Sequence, residues 1–221
     1  MVTTIYLIRH GEAEGNVKKF FQGNIETSLT DRGIQQAGYA GERLKDIPID
    51  CLWSSPLKRA YMTAEGANRY KGLEIQTDKR LMEINGGDFE GLPWEELPQK
   101  FPEAAAKWHD TVYDFKAPGG ESMEEVYDRM RDCITEIAEK NKGRTVCIVS
   151  HGCSLRAFLC FVKYGDIRKI NQVEIGKNTA FSCLEYKEGS FEIKFANDIS
   201  HLPEKLRETA KPGWFEDDKT E

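Results

Sequence analysis

Two short runs of β-branched and apolar residues in this sequence each end in a histidine that is followed by glycine. The first run spans residues 4–9 and leads into His10, and the second spans residues 145–150 and leads into His151. Apolar runs of this length, bounded by polar residues, are typical of buried strands, and glycine turns the chain there without a Cβ penalty. Ligands bind at the carboxyl ends of strands in open α/β sheets. Both histidines are therefore expected at one ligand-binding edge.

Helical spacing alternates with such runs along the rest of the chain. Thr30 and Ser55 are expected helix N-caps, Ser55 with a proline at the first helical position, and Ile34 is expected on a periodic apolar helix face. This alternation and a closing hairpin predict an α/β fold with a mostly parallel sheet and an antiparallel edge. The predicted strands cover 4–9, 50–54, 73–77 and 145–150, the helices about 30–45, 55–67, 122–143 and 153–163, and the hairpin 180–195.

The 221 residues are expected to form one domain. Residues 81–120 are irregular and rich in proline, glycine and aromatic residues, which indicates a small cap over the site. The acidic end, 212–221, is expected to be a flexible tail.

Composition limits which binding partners and which cellular compartment are expected. The net charge of −6 argues against nucleic acid or an anionic membrane as a partner. No apolar run reaches transmembrane length, and the N-terminus leads into a strand rather than a signal peptide. The six cysteines show neither a C-x-x-C pair nor a secreted-type framework. We therefore expect reduced thiols and a cytoplasmic protein.

Four cationic or imidazole side chains fall at predicted strand ends: Arg9, His10, Arg59 and His151. Guanidinium and imidazole donors that converge on one point suit a phosphoryl group with its several anionic oxygens. A neutral histidine can also attack phosphorus and form a phosphohistidine, and a nearby carboxylic acid would then protonate the leaving alkoxide. No cysteine has arginine six residues later, which argues against a cysteine phosphatase. The sequence also contains no P-loop and no H-E-x-x-H, and no metal is implied.

Five blocks in this order resemble the histidine phosphatase superfamily, in the branch that contains cofactor-dependent phosphoglycerate mutases. They are R-H-G-E at 9–12, S-S-P-L-K-R-A-Y-M-T-A at 54–64, E-I-N-G-G-D-F-E-G at 83–91, P-G-G-E-S at 118–122 and S-H-G at 150–152. The resemblance covers about residues 3–200. It implies a three-layer sandwich with helices on both faces of the sheet.

The resemblance also implies roles for individual residues. His10 would be the phosphorylated nucleophile, and Glu83 would be the proton donor. Arg9, Arg59 and His151 would act in catalysis by binding the phosphoryl group.

Further substrate contacts are implied for Asn16, Gln22 and Gly23 in the loop that follows the first block. Asn16 could instead brace that loop. Glu12 or Glu90 could replace Glu83 as the acid. These alternatives stay open on the sequence alone.

The segment after Glu83 favours a phosphatase over a mutase. Mutases of this family carry a longer insert there, with a lysine and an arginine pair that hold a bisphosphorylated intermediate, and residues 83–93 lack them. We therefore predict a phosphatase of small-molecule phosphate monoesters that needs no cofactor. A phosphoglycerate mutase and an α-ribazole phosphatase are alternatives, and a non-catalytic phosphate-binding module is less favoured. The expected partner is a small phosphorylated metabolite, and the expected state is a monomer or homodimer.

Overall fold

A six-stranded sheet forms the centre of the protein in the computed structural model, which describes residues 1–207. The strand order β3-β2-β4-β1-β5-β6 places β1 beside β4 in parallel, and β5 and β6 form an antiparallel edge. This arrangement confirms the predicted mixed α/β sheet. The strands are β1 (Thr3–Arg9), β2 (Cys51–Ser54), β3 (Ile75–Thr77), β4 (Thr145–Ser150), β5 (Phe181–Lys187) and β6 (Ser190–Asp198).

Helices cover both faces of the sheet, because alternate residues of a strand point to opposite sides. Ile5 and Leu7 of β1 pack in one core with α6 and α7, while Ile8 packs in a second core with α2 and α3. The sheet is therefore the middle of three layers. The helices are α1 (Glu14–Lys18), α2 (Asp31–Leu44), α3 (Lys58–Asn68), α4 (Leu97–Lys100), α5 (Pro102–Asp110), α6 (Met123–Lys140), α7 (Gly152–Tyr164) and α8 (Glu204–Arg207).

Residues 81–120 fold into α4, α5 and short 3₁₀ turns around an aromatic cluster. Phe21 packs edge-on against Phe89 and Trp108, and Trp108 packs against Phe115. These side chains belong to the same core as α6 and α7. The segment is thus fixed to the body of the protein by apolar burial, which stabilises by about 25 cal/mol per Å² of area removed from water.

Three local predictions were wrong. Helix α3 begins at Lys58 rather than after Ser55, and its N-cap is Leu57. Ile34 is 51% exposed instead of buried, because α2 packs through its small residues. β3 begins at Ile75 because the backbone of Leu73 is bonded to the Asn68 side chain instead of to a strand.

The Ser122–Glu125 capping box at the start of α6 is present as predicted. The tail predicted for 212–221 lies outside the described residues. Within residues 1–207, no helix is both long enough and apolar enough to cross a membrane.

Candidate active site

The register of the two central strands brings the two histidines together. Arg9 at the end of β1 pairs with Ser150 at the end of β4, and the backbone N–H of His10 donates to the Ser150 carbonyl at 2.9 Å. The ring centroids of His10 and His151 are consequently 5.2 Å apart. The predicted convergence of the strand ends is therefore present in the fold.

His10 presents one ring nitrogen to the cavity. Its Nδ1 lies 2.7 Å from the carbonyl oxygen of Gly11, which can only accept, so Nδ1 carries the hydrogen and Nε2 keeps its lone pair. Burial, and then the charges of Arg59 and Arg9, lower the pKa of His10 well below 6.5. The imidazole is neutral at neutral pH and is chemically a nucleophile.

His151 is held by a residue that the sequence predicted for another role. Its Nε2 lies 2.7 Å from the Ser55 Oγ, and that Oγ also accepts from the N–H of Leu57 at 3.3 Å. The hydrogen of the Ser55 hydroxyl is available to Nε2, and donation there places the hydrogen of His151 on Nδ1. Burial, followed by the charge of Arg59, lowers the pKa of His151 well below 6.5.

The two arginines are bonded to backbone carbonyls. Arg9 Nη1 donates to the Gly176 carbonyl at 2.6 Å, and Arg59 donates to the carbonyls of Gly23 at 2.7 Å and Ile25 at 3.0 Å. Burial lowers the pKa of both, that of Arg59 to about 10. Both guanidinium groups therefore stay charged at neutral pH, with their orientation fixed.

Three buried donor atoms at this point have no hydrogen-bond partner within the described part of the chain: Arg9 Nε, Arg59 Nε and His151 Nδ1. A buried donor without a partner costs about 1–3 kcal/mol, so such donors are rare in folded proteins. Arg9 and Arg59 border the same cavity as His10, and the ring centroid of His151 lies 5.2 Å from that of His10. A group with several anionic oxygens would satisfy the three donors together.

Glu83 lies against the N-terminus of α7. Its carboxylate accepts from the N–H groups of Cys153 at 3.1 Å and Ser154 at 3.0 Å, and from the Ser154 hydroxyl at 3.1 Å. Helix N-termini favour such contacts because their first N–H groups have no partner inside the helix. Glu83 borders the same cavity as His10.

A set of hydrogen bonds from Arg129, which sequence reasoning missed, clamps the backbone around Glu83. Arg129 of α6 donates to the carbonyls of Arg80, Met82 and Glu83 at 2.7–3.1 Å. Its guanidinium is fixed in turn by Glu121, at 2.8 Å. Nothing local in the sequence indicates this clamp, because Arg129 meets its partners only through the tertiary fold.

The two other carboxylates considered as acids point elsewhere. Glu12 accepts from the Thr30 hydroxyl at 2.7 Å, and Glu90 accepts from the N–H groups of Asn24 and Gly86 at 2.7 and 2.9 Å. Neither borders the cavity.

The loop residues predicted to bind substrate do border the cavity. Asn16 braces the loop as well, because its Oδ1 accepts from the Ala13 N–H at 2.9 Å. Gln22 accepts from the Thr27 hydroxyl at 2.7 Å, and Gly23 adopts a φ of +45° that favours glycine.

The cavity has a volume of about 880 Å³, within the range of small-molecule sites. Arg9, His10, Arg59 and Glu83 border it, and His151 is fully buried next to His10. Within the described residues no group of three or more His, Cys, Asp or Glu could hold a metal ion.

The fold and the site together define an α/β phosphatase that acts on small phosphorylated molecules. Residues 5–199 match the sequence profile of the histidine phosphatase superfamily (branch 1), and the chain belongs to that family.

Characterised relatives and a solved structure agree with this assignment. The chain is 32% identical to phosphoserine phosphatase 1 of Hydrogenobacter thermophilus, over 90% of this chain and 94% of that protein. It is 34% identical to phosphoglycerate mutase-like protein 4 of Arabidopsis thaliana, over 90% and 87%. Bacillus stearothermophilus YhfR superposes with a TM-score of 0.87 at 31% identity, over 90% of this chain and 98% of YhfR.

Proposed function

We propose that this phosphatase hydrolyses small phosphate monoesters through a phosphohistidine formed on His10. The observation that carries the proposal is the set of three unpartnered buried donors on Arg9, Arg59 and His151, residues that the strand ends bring next to the neutral His10. Arg9, Arg59 and His151 would bind the phosphoryl oxygens and stabilise the charge that develops during transfer. Asn16, Gln22 and Gly23 would complete the substrate contacts.

The reaction would proceed in two displacements. His10 Nε2 attacks phosphorus, the bond to the ester oxygen breaks, and Glu83 gives its proton to the leaving alkoxide. Water then attacks the phosphohistidine, Glu83 takes up the proton, and the N–P bond breaks to release inorganic phosphate. The free His10 and protonated Glu83 are restored.

The direct test is to trap the intermediate. Rapid acid-free quenching with a ³²P-labelled monoester should leave acid-labile, alkali-stable label on His10, and His10→Ala should abolish both label and turnover. His109→Ala is the matched control, since His109 is exposed on α5 and does not border the cavity. Turnover that survived His10→Ala would refute the mechanism.

Two observations bear on the natural substrate. The relatives include a protein named as a phosphoserine phosphatase, which favours a phosphorylated hydroxy amino acid. Another is named phosphoglycerate mutase-like, which keeps mutase activity as a second candidate. Activity that depends on a bisphosphorylated primer would identify the mutase, and release of inorganic phosphate without a primer would identify the phosphatase. α-Ribazole phosphate belongs in the same substrate panel.

The setting of the enzyme is part of the proposal. All six cysteines are free and buried, which supports a reducing, cytoplasmic environment. We propose one histidine phosphatase domain with the 81–120 segment as its cap, working as a monomer or homodimer. Size-exclusion chromatography with light scattering distinguishes the two states.

A further inference from the structure

The active-site cavity continues from the phosphoryl end to a further cation, Arg156 of α7. At the start of this helix, a Cβ on Gly152 would lie 3.4 Å from the guanidinium carbon of Arg9. Arg156 follows Gly152 by one helical turn, which is about 6 Å along the helix axis. Arg9 and Arg156 both border this one cavity.

The Arg156 side chain is fixed through only one of its nitrogens. Its Nε donates to the carbonyls of Val173 at 2.7 Å and Ile170 at 3.2 Å. The two terminal nitrogens form no hydrogen bond or ion pair with any group in residues 1–207. Burial lowers the pKa of Arg156 from its ordinary value, but a guanidinium stays protonated at neutral pH. Arg156 is half-buried at the border of the cavity, and its two terminal nitrogens are unpaired within the described residues.

The walls between the two ends of the cavity are mostly apolar. Phe20, Trp94, Trp108, Val173 and Ile175 all line the cavity. Trp108 Nε1 is buried and has no acceptor in the described part of the chain. A leaving group that sits here meets carbon along its length and a cation at its far end.

The polar groups near Arg156 do not neutralise it. Glu174 borders the cavity but is exposed and forms no ion pair with Arg156. The carboxylate of Glu83 accepts hydrogen bonds from the N-terminus of α7 instead. Lys177 adds a second, exposed cation at the rim. The charge at this end of the cavity therefore favours an anion.

We propose that Arg156 binds a carboxylate on the leaving alcohol, so that the preferred substrates are phosphate monoesters of hydroxycarboxylic acids, including hydroxy amino acids. This inference rests on the proposed phosphatase function. The two terminal nitrogens match the planar pair of oxygens of a carboxylate.

The test compares substrates that differ only in the carboxylate. Phosphoserine is paired with phosphoethanolamine, and 3-phosphoglycerate with 2-hydroxyethyl phosphate. The wild-type enzyme should prefer the carboxylate member of at least one pair in kcat/KM. Arg156→Met should reduce that preference on the order of 10- to 100-fold, the size of a lost charged hydrogen bond, while kcat/KM for the partner without carboxylate changes little.

Controls separate binding from structure. Lys163→Met removes the same charge from an exposed position of α7 outside the cavity and should leave the preference unchanged. Arg156→Lys keeps the charge and should restore part of the preference. If Arg156→Met only loosens the 170–173 segment, both members of a pair will lose activity equally, and the proposal is overturned.

The two proposals fail in different ways. A wild-type enzyme that turns over every monoester without preference for the carboxylate contradicts only the role of Arg156. Absence of any turnover, or turnover independent of His10, contradicts the proposed function itself.

Discussion

Ser55 Oγ lies 2.7 Å from His151 Nε2, within hydrogen-bonding distance, and both residues are fully buried. The contact joins the end of β2 to the end of β4 and fixes which nitrogen of His151 carries its hydrogen. Ser55 is thus a positioning residue, since it reaches the phosphoryl group only through His151.

Replacing Ser55 by alanine should therefore disturb the tautomer of His151 more than the overall fold. We expect Ser55→Ala to lower kcat/KM about 10-fold and the free energy of unfolding by about 1–3 kcal/mol, because His151 Nε2 loses its donor. ¹⁵N NMR of His151 should show a mixture of tautomers, and Ser55→Thr should restore one. Ser54→Ala is the control, because the Ser54 hydroxyl donates only to a backbone carbonyl. An unchanged tautomer in Ser55→Ala would exclude this role.

The role of Glu83 predicts a dependence on the leaving group. Glu83→Gln keeps the shape of the side chain but cannot supply a proton. Alkyl phosphates should slow by about 10²–10⁴-fold, the usual contribution of a general acid, while an aryl phosphate with a good leaving group should slow far less. Glu90→Gln serves as a comparison, since Glu90 lies outside the cavity. Equal slowing of both substrate types would remove Glu83 from the acid role.

Titration of His10 tests the electrostatics of the site directly. Burial and the charges of Arg59 and Arg9 lower its pKa, so its NMR shifts should stay those of the neutral ring as the pH falls through 6.5. Arg59→Met should raise the pKa of His10 toward 6.5, because a nearby positive charge is removed. Arg69→Met, at the exposed end of α3, should not move it. A wild-type His10 that titrates near 6.5 would contradict the lowered pKa expected for a buried histidine beside two arginines.

The neutral histidines also make stability depend on pH. His10, His151 and His201 all have lowered pKa values, that of His201 about 4. The unfolded chain takes up protons on these residues as the pH falls below 6.5, whereas the folded chain does not. The free energy of unfolding should therefore fall with falling pH, by up to about 1.4 kcal/mol per pH unit for each histidine. Chemical denaturation from pH 7.5 to 5 measures this slope, and a flat profile would contradict it.

Gly33 of α2 tests how the nucleophile loop is supported. A Cβ on Gly33 would lie 2.0 Å from the Glu12 carbonyl oxygen. Gly33→Ala should therefore push the Gly11–Glu12 backbone away, lower the free energy of unfolding by about 1–3 kcal/mol and reduce kcat at least 10-fold. Gly38→Ala in the same helix meets only the end of the Arg69 side chain, at 3.3 Å, and should be neutral or stabilising. A Gly33→Ala variant with wild-type kcat would show that Gly33 does not support the nucleophile loop.

The fold was predictable because its determinants are local in the sequence. The apolar runs that form β1 and β4 were recognised as strands, and the Ser122–Glu125 capping box was recognised as a helix start. The start of α3 was wrong: Ser55 has a cap-like side chain and accepts from the Leu57 N–H, but the helix begins only at Lys58, and the same hydroxyl contacts a histidine 96 positions away. No local pattern reports a partner at that distance.

The site residues fall into the same two groups: those that local sequence predicts and those that depend on the tertiary fold. His10, His151 and Arg59 were found because each follows a strand, where topology alone sets the position. The clamp of Arg129 on the Glu83 backbone and the free end of Arg156 were not found. Both depend on which helix face meets which loop, and a surface arginine in a helix is the ordinary expectation from sequence.

Arg9 and Arg59 are held by the carbonyl oxygens of Gly176, Gly23 and Ile25 rather than by carboxylates. Neither guanidinium forms an ion pair with a carboxylate of the described residues. Any oxyanion that binds the folded state here therefore adds to its stability in proportion to the logarithm of the oxyanion concentration. Inorganic phosphate, the product, is such an ion. The phosphate level around the enzyme would then set two things together: how much activity is inhibited and how long the folded protein survives.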